Sequence, residues 1–163
     1  MRVYLVRHGI AEPHGATEDA DRALTPKGKL RMAEEAKGLR DLKINPEVIL
    51  TSPMRRAMET ATIIAEQLGA IKLEQLSELA QGFSGPTEVL AALRPYESLK
   101  EVVLVGHQPS LGEMASFMLT GSMNGCAIEF KKGGVICLDQ VSLENPDRYI
   151  LIWSMPPKVL RAL

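Results

Sequence analysis

Apolar residues run along this chain in two rhythms. Unbroken runs, Val3 to Val6, Val48 to Leu50 and Val102 to Val105, have the make-up of strands covered on both faces. Between them the spacing widens to three and four. Thr25-Pro26 supplies an N-cap and a proline at the first helical position, and Leu30, Ala33, Ala36 and Leu39 follow at three-residue steps, which predicts a helix. Met54, Ala57, Met58, Ala61, Ala65 and Leu68 fall at i, i+3, i+4, i+7, i+11 and i+14, an amphipathic helix of about four turns. Thr51-Ser52-Pro53 reads as its cap-and-proline start. Pro109-Ser110 opens another helix, with Leu111, Met114, Ala115 and Met118 on one face. Ile71 to Leu76 alternates as an edge strand, Ser84-Gly85-Pro86 introduces a short helix to about Leu93, and Gly9 to Ala23 is a polar loop.

Late in the chain, Ala127 to Phe130, Val135 to Leu138 and Tyr149 to Trp153 read as strands, with Lys132-Gly133-Gly134 as a hairpin turn. Helices alternate with strands, so the class is α/β with a largely parallel sheet and antiparallel additions near the end. A length of 163 residues fits one domain that needs neither disulfides nor a structural metal to hold its core. Nineteen Lys and Arg balance twenty Asp and Glu, a net charge of −1, so no global field calls for nucleic acid or an anionic membrane. Cys126 and Cys137 lack metal-ligand spacing and read as small hydrophobes in a reducing compartment. No leader segment is read at the start, and no apolar run approaches the roughly 20 residues that span a bilayer. The expectation is a cytoplasmic protein.

Ligands of such sheets bind outside the carboxyl ends of the strands. Three expected strands end in reactive or cationic residues: Arg7-His8-Gly9, then Ser52 to Arg56, then Gly106-His107. Two arginines and two histidines gathered there, followed by helix N-termini, suit a small dianion. Taken singly the residues are weaker. Arg55 reads as an exposed partner of Glu59 one turn on, His107 alone could be structural, and His14 is assigned no role.

Together the blocks carry a resemblance. Leu5-Val6-Arg7-His8-Gly9, Ser52-Pro53-Met54-Arg55-Arg56-Ala57-Met58-Glu59-Thr60-Ala61 and Val105-Gly106-His107 resemble, in order and spacing, the histidine phosphatase superfamily, with its phosphoglycerate mutase-like fold. Arg56, directly before alanine, is the matching arginine. Ala11, Arg22-Ala23-Leu24-Thr25, Gly106-His107-Gln108-Pro109 and Trp153-Ser154-Met155-Pro156-Pro157 are similar to the short SixA-type phosphohistidine phosphatases. Glu59 departs from the pattern, standing where the family usually has glutamine.

The resemblance implies one histidine phosphatase domain over residues 1–163, a three-layer α/β/α sandwich without a large cap. It implies His8 as a nucleophile that forms a phosphohistidine. Arg7, Gly9, Arg22, Arg56 and His107 would bind the phosphate, His107 as a protonated donor. His8 must stay neutral, and crowding by arginines lowers its pKa. No metal or cofactor is needed, since positioning and charge do most of the work of phosphoryl transfer. Glu78 is the nearest candidate for the general acid that many members place after the second helix. Only about thirty residues separate that helix from the third buried strand, too few for a large lid. The expected substrate is phosphohistidine on a partner protein, a phosphotransfer domain or a phosphotransferase-system component. A small-molecule phosphomonoesterase and a phosphate-binding module without turnover are the alternatives. A His8/His107 metal site lacks a third ligand at suitable spacing.

Overall fold

A computed structural model of the chain describes residues 1–15, 17–69, 71–80, 82 and 84–163; Ala16, within the Gly9 to Ala23 loop, lies outside them. Its strands are β1 (Arg2–Arg7), β2 (Val48–Thr51), β3 (Lys72–Gln75), β4 (Glu101–Gly106), β5 (Val135–Gln140) and β6 (Tyr149–Met155). They form one sheet in the order β3-β2-β4-β1-β5-β6. The pairs β3/β2, β2/β4 and β4/β1 are parallel, whereas β1/β5 and β5/β6 are antiparallel. The helices are α1 (Pro26–Asp41), α2 (Arg55–Leu68), α3 (Pro86–Leu93), α4 (Ser110–Thr120) and α5 (Pro157–Leu160). Helices on both faces of the sheet make this the expected three-layer α/β fold, and the described residues form no large cap.

Alternation along the strands divides the core in two, because successive side chains point to opposite faces. Val3 and Leu5 of β1, Val102 and Leu104 of β4 and Val48 and Leu50 of β2 pack with Val89 and Leu93 of α3 and Met114 and Met118 of α4. On the other face Tyr4, Val6, Val103, Val105 and Ile49 meet Met32 and Leu39 of α1, Ala61 and Ile64 of α2, and Leu160 of α5. Both faces of the parallel strands are thus covered, as their unbroken apolar runs require.

Two local expectations change. Residues 127–130 do not form a strand. β5, the strand a hairpin across Lys132-Gly133-Gly134 would pair with this stretch, already has β1 on one edge and β6 on the other, and the carbonyls of the stretch serve side chains instead. Ile128 O accepts from Gln108 Nε2 at 3.2 Å, and Phe130 O accepts from Arg7 Nη1. The second helix begins at Arg55, with Met54 in the N-cap position and no side-chain cap. Ser52, expected in the capping role, lies earlier and accepts the Met54 N–H through its hydroxyl at 3.2 Å. At α1 the sequence signal holds: Thr25 Oγ1 accepts the Gly28 N–H at 2.9 Å and Pro26 opens the first turn. Among the described residues no helix is long and apolar enough to cross a membrane.

Candidate active site

Parallel register brings three distant segments to one edge. Arg7 of β1 lies opposite Gly106 of β4, and Val105 of β4 opposite Thr51 of β2. The ladder continues one step past the strands: His8 N donates to Gly106 O at 3.0 Å and Ser52 N to Val105 O at 3.0 Å. His8, Ser52 and His107 therefore emerge side by side at the carboxyl ends. Their positions are fixed by buried backbone rather than by loop conformation. The His8 and His107 rings are 5.1 Å apart between centroids, tilted by 55°.

His8 is held in one tautomer. Its Nδ1 is 2.7 Å from Gly9 O, and a carbonyl only accepts, so Nδ1 carries the proton. Arg56 Nε donates to His8 Nε2 at 3.3 Å, so that nitrogen presents its lone pair. The ring is buried, which is the main cause of a pKa lowered to about 3; His107, Arg56 and Arg7 push it the same way, against the Gly9 carbonyl. Burial outranks the crowding of cations as the cause. Gly9 in turn is tied to α2, its N–H donating to Thr60 Oγ1 at 3.0 Å while that hydroxyl donates to Arg56 O at 2.7 Å. A Cβ on Gly9 would meet Leu24 Cδ2 at 3.3 Å, so close packing at the start of α1 also asks for glycine there.

Arg56, from the first turn of α2, is 1% exposed. Besides His8 its guanidinium reaches Asp19, donating from Nη1 to the backbone oxygen at 2.7 Å and from Nη2 to Oδ2 at 3.2 Å. Arg22 joins the same carboxylate, Nη1 to Oδ1 at 2.7 Å, while its Nε donates to Glu12 O at 2.8 Å. Asp19, in a short 3₁₀ turn at Asp19–Asp21, is a built-in anion between two arginines. Chiefly the Arg22 hydrogen bond, with Arg56 adding to it, holds its carboxyl below the usual range. His14, 80% exposed in its side chain, stands 3.3 Å from Asp19 Oδ1 at the rim.

His107 is 1% exposed. Its Nε2 is 2.8 Å from Ser52 Oγ, and Nδ1 is buried with no partner among the described residues. Burial first, then Arg56, lowers its pKa to about 4; Arg7 and Arg22 add to this and Asp19 opposes it. Arg7 is half-buried, anchored through Nη1 to Phe130 O, with Nε buried and unpartnered among the described residues. The site is a cluster of guanidinium groups around a neutral imidazole, with two buried nitrogens unpaired among the described residues, and this chemistry suits a tetrahedral oxyanion.

Of the residues expected from the sequence, the structure gathers His8, Gly9, Arg22, Arg56 and His107 through these contacts, with Arg7 beside them. Glu78 hydrogen-bonds to none of them among the described residues: its half-buried carboxylate accepts from the neighbouring Ser77 hydroxyl at 3.0 Å in the 3₁₀ turn Ser77–Leu79. Arg55 lies outward on Glu59, Nε to Oε1 at 3.2 Å. Glu59 uses its other oxygen to accept the Leu24 N–H at 2.7 Å, tying the loop that carries Arg22 to α2. Sequence reasoning missed Asp19 and the contacts of Ser52 and Thr60. For Asp19 nothing in the local pattern separated it from other acidic loop residues. Ser52, at the end of a buried strand, shared the position that singled out His8 and His107. Among the described residues no group of three or more His, Cys, Asp or Glu lies close enough to hold a metal ion.

Comparison with known proteins agrees with this geometry. The profile of the histidine phosphatase superfamily (branch 1) matches residues 3–98. An uncharacterized protein of Picosynechococcus sp. is 40% identical over 144 residues, covering 85% of this chain and 84% of its own. The structure of the protein histidine phosphatase SixA complexed with tungstate superposes with a TM-score of 0.86 at 25% identity, over 98% of this chain and 99% of the other. The alpha-ribazole phosphatase from Shigella flexneri shares the fold, with a TM-score of 0.75 at 16% identity over 96% and 97% of the two chains. The strand-end histidines, the buried arginine of α2 and these matches converge: the chain belongs to the histidine phosphatase superfamily, branch 1.

Proposed function

We propose that this protein is a phosphatase that works through a phosphohistidine on His8 and takes its phosphate from phosphohistidine on a partner protein. The observation that carries the reading is the His8 ring, whose Nδ1–H is committed to Gly9 O while the Nε2 lone pair faces Arg56. Such a ring is a nucleophile at neutral pH without a base to activate it. Nε2 attacks phosphorus in line as the bond to the leaving nitrogen breaks. Arg56 gives up its hydrogen bond to Nε2 and, with Arg7 and Arg22, takes the non-bridging oxygens. Water then attacks the phosphohistidine, the P–Nε2 bond breaks, and inorganic phosphate leaves with His8 restored. A tungstate complex is recorded for the SixA relative, and tungstate is a tetrahedral oxyanion of similar shape to phosphate.

The missing acid favours a P–N bond. Asp19 is held ionised by two arginines, and the one hydrogen bond of the Glu78 carboxylate among the described residues is to Ser77. An alkoxide leaving group needs a proton from the enzyme, whereas a phosphoimidazole protonated at its far nitrogen departs as neutral imidazole. The chemistry asks for no metal, because charge on the oxygens is met by guanidinium groups. The described residues of β3, the 3₁₀ turn at Ser77–Leu79 and α3, between α2 and β4, lie against the sheet and its core and form no large cap, which favours a protein-borne group such as a phosphotransfer domain or phosphotransferase-system component. The free thiols of Cys126 and Cys137 suit a reducing cytoplasm.

The test is rapid-quench labelling. Mixed with a phosphohistidine-bearing protein carrying labelled phosphate, the enzyme should show an acid-labile, base-stable phosphoenzyme that His8→Ala lacks. A panel then compares phosphohistidine proteins with phosphomonoesters. Faster turnover of a free phosphosugar than of every phosphohistidine protein would make it a small-molecule phosphomonoesterase with the same nucleophile; tight vanadate binding without any labelled enzyme would make it a phosphate-binding module.

A further inference from the structure

Ser52 and His107 form a buried pair whose hydrogens are determined by what surrounds them. Ser52 is fully buried and His107 is 1% exposed. The Ser52 hydroxyl has one hydrogen and two lone pairs. One lone pair accepts the Met54 N–H at 3.2 Å. Among the described residues the side chain meets only one further group, His107 Nε2 at 2.8 Å. If Nε2 carried a proton, in either the neutral or the charged ring, it would donate to Oγ and the hydroxyl hydrogen would be left buried without an acceptor, an arrangement that folded proteins avoid. If the hydroxyl donates to Nε2, every hydrogen around Ser52 is used, and the ring's own hydrogen sits on Nδ1.

We propose that Ser52 is a positioning residue that fixes His107 in the neutral Nδ1–H tautomer, so that His107 acts on the bound phosphate as an uncharged hydrogen-bond donor. The inference rests on the phosphatase reading above and replaces the imidazolium expected from the sequence. Nδ1 is the atom left buried and unpartnered among the described residues, and its ring centre lies 5.1 Å from that of His8, so an oxygen on phosphorus held near His8 Nε2 would complete its hydrogen bonding. The surroundings agree: burial first, then Arg56, Arg7 and Arg22, disfavour a charged ring, against Asp19, which favours one. Each imidazole then has its tautomer set by one oxygen, His8 by the Gly9 carbonyl that accepts and His107 by the Ser52 hydroxyl that donates. Donor and nucleophile are both ready before substrate arrives, with no proton to move.

The test begins with the wild-type chain, labelled with nitrogen-15 in its histidines, without ligand and with vanadate. The nitrogen shifts of His107, assigned by their loss in His107→Gln, should show a protonated Nδ1 and an unprotonated Nε2 near neutral pH in both states. A protonated Nε2 in either state overturns the proposal, whatever the activity. Ser52→Ala should then lower kcat/KM about tenfold or more, as loss of a donor to the transferring group does, and should shift His107 toward the Nε2–H form, while Ser52→Thr, which keeps the hydroxyl, should retain the tautomer. A Ser52→Ala protein with unchanged tautomer and unchanged kcat/KM also overturns it. If Ser52→Ala does not fold, the wild-type spectrum decides. Turnover that survives His8→Ala would instead defeat the phosphatase mechanism and leave the tautomer measurement standing, so the two failures are distinct.

Discussion

His8 and His107 carry a cost that shows in the pH dependence of folding. In the unfolded chain each titrates near the ordinary value of 6.5; in the folded protein the values are lowered to about 3 and about 4. Below about pH 6.5 the unfolded chain therefore binds protons that the folded protein refuses. The contribution of both rings to stability is fully present above the unfolded value, and is lost as pH falls from there toward the folded values. Each contributes a slope approaching about 1.4 kcal/mol per pH unit once the unfolded ring is mostly charged. Urea unfolding at pH 7 and pH 5 should show wild type losing about 1 to 2 kcal/mol more than His107→Gln over that interval. Equal losses in the two proteins would mean that the buried ring is not neutral.

At the scale of elements, the parts legible in the sequence were those whose signal is local. The apolar runs of β1, β2 and β4 and the three-four spacing of α2 reflect burial that each segment undergoes whatever its neighbours, and the Thr25-Pro26 start of α1 is chemistry within four residues. Residues 127–130 misled because β5, the strand a hairpin would pair them with, has both edges taken by β1 and β6, a property of the whole sheet. Ser52 misled because a side chain able to cap a helix can also bond a histidine fifty-five residues away. Gly38 is the clearest case of information absent from the pattern. It sits inside α1, where glycine costs about 1 kcal/mol relative to alanine, yet a Cβ there would lie 2.1 Å from Leu160 O in α5. Helix propensity favours Gly38→Ala and contact with backbone opposes it. Contact should win, because α5 cannot shift without exposing Leu160, fully buried against Met32 and Leu39. The variant should be less stable by about 1 to 3 kcal/mol and should bind vanadate as wild type does, since the site lies at the carboxyl edge of the sheet. Denaturant midpoints and a vanadate titration separate the two readouts; a Gly38→Ala protein as stable as wild type would show that α5 docks loosely.

Across the whole molecule, the residues of the proposed oxyanion site come from separate segments: His8 follows β1, His107 follows β4, Arg56 belongs to α2, and Arg22 and Asp19 come from the loop before α1. Unfolding disperses all of them, so a ligand that bridges them stabilises the entire fold by mass action, about 2.7 kcal/mol at a hundred times its Kd. For a chain of this size that is a rise in Tm of roughly 5 to 11 °C. Vanadate should produce it in wild type. Arg56→Ala should abolish the rise, because it removes the guanidinium that joins His8 to Asp19. Glu78→Gln should keep the full rise and keep turnover of phosphohistidine protein within about twofold, because its carboxylate hydrogen-bonds only to Ser77 among the described residues and the amide keeps an oxygen to accept that bond. A Glu78→Gln protein that still binds vanadate but loses turnover would restore Glu78 as the acid and return the substrate question to phosphate esters, whose leaving oxygen needs a proton. The thermal shift and the rate, measured on the same variants, therefore distinguish a site built to bind and cleave P–N bonds from one built for P–O bonds.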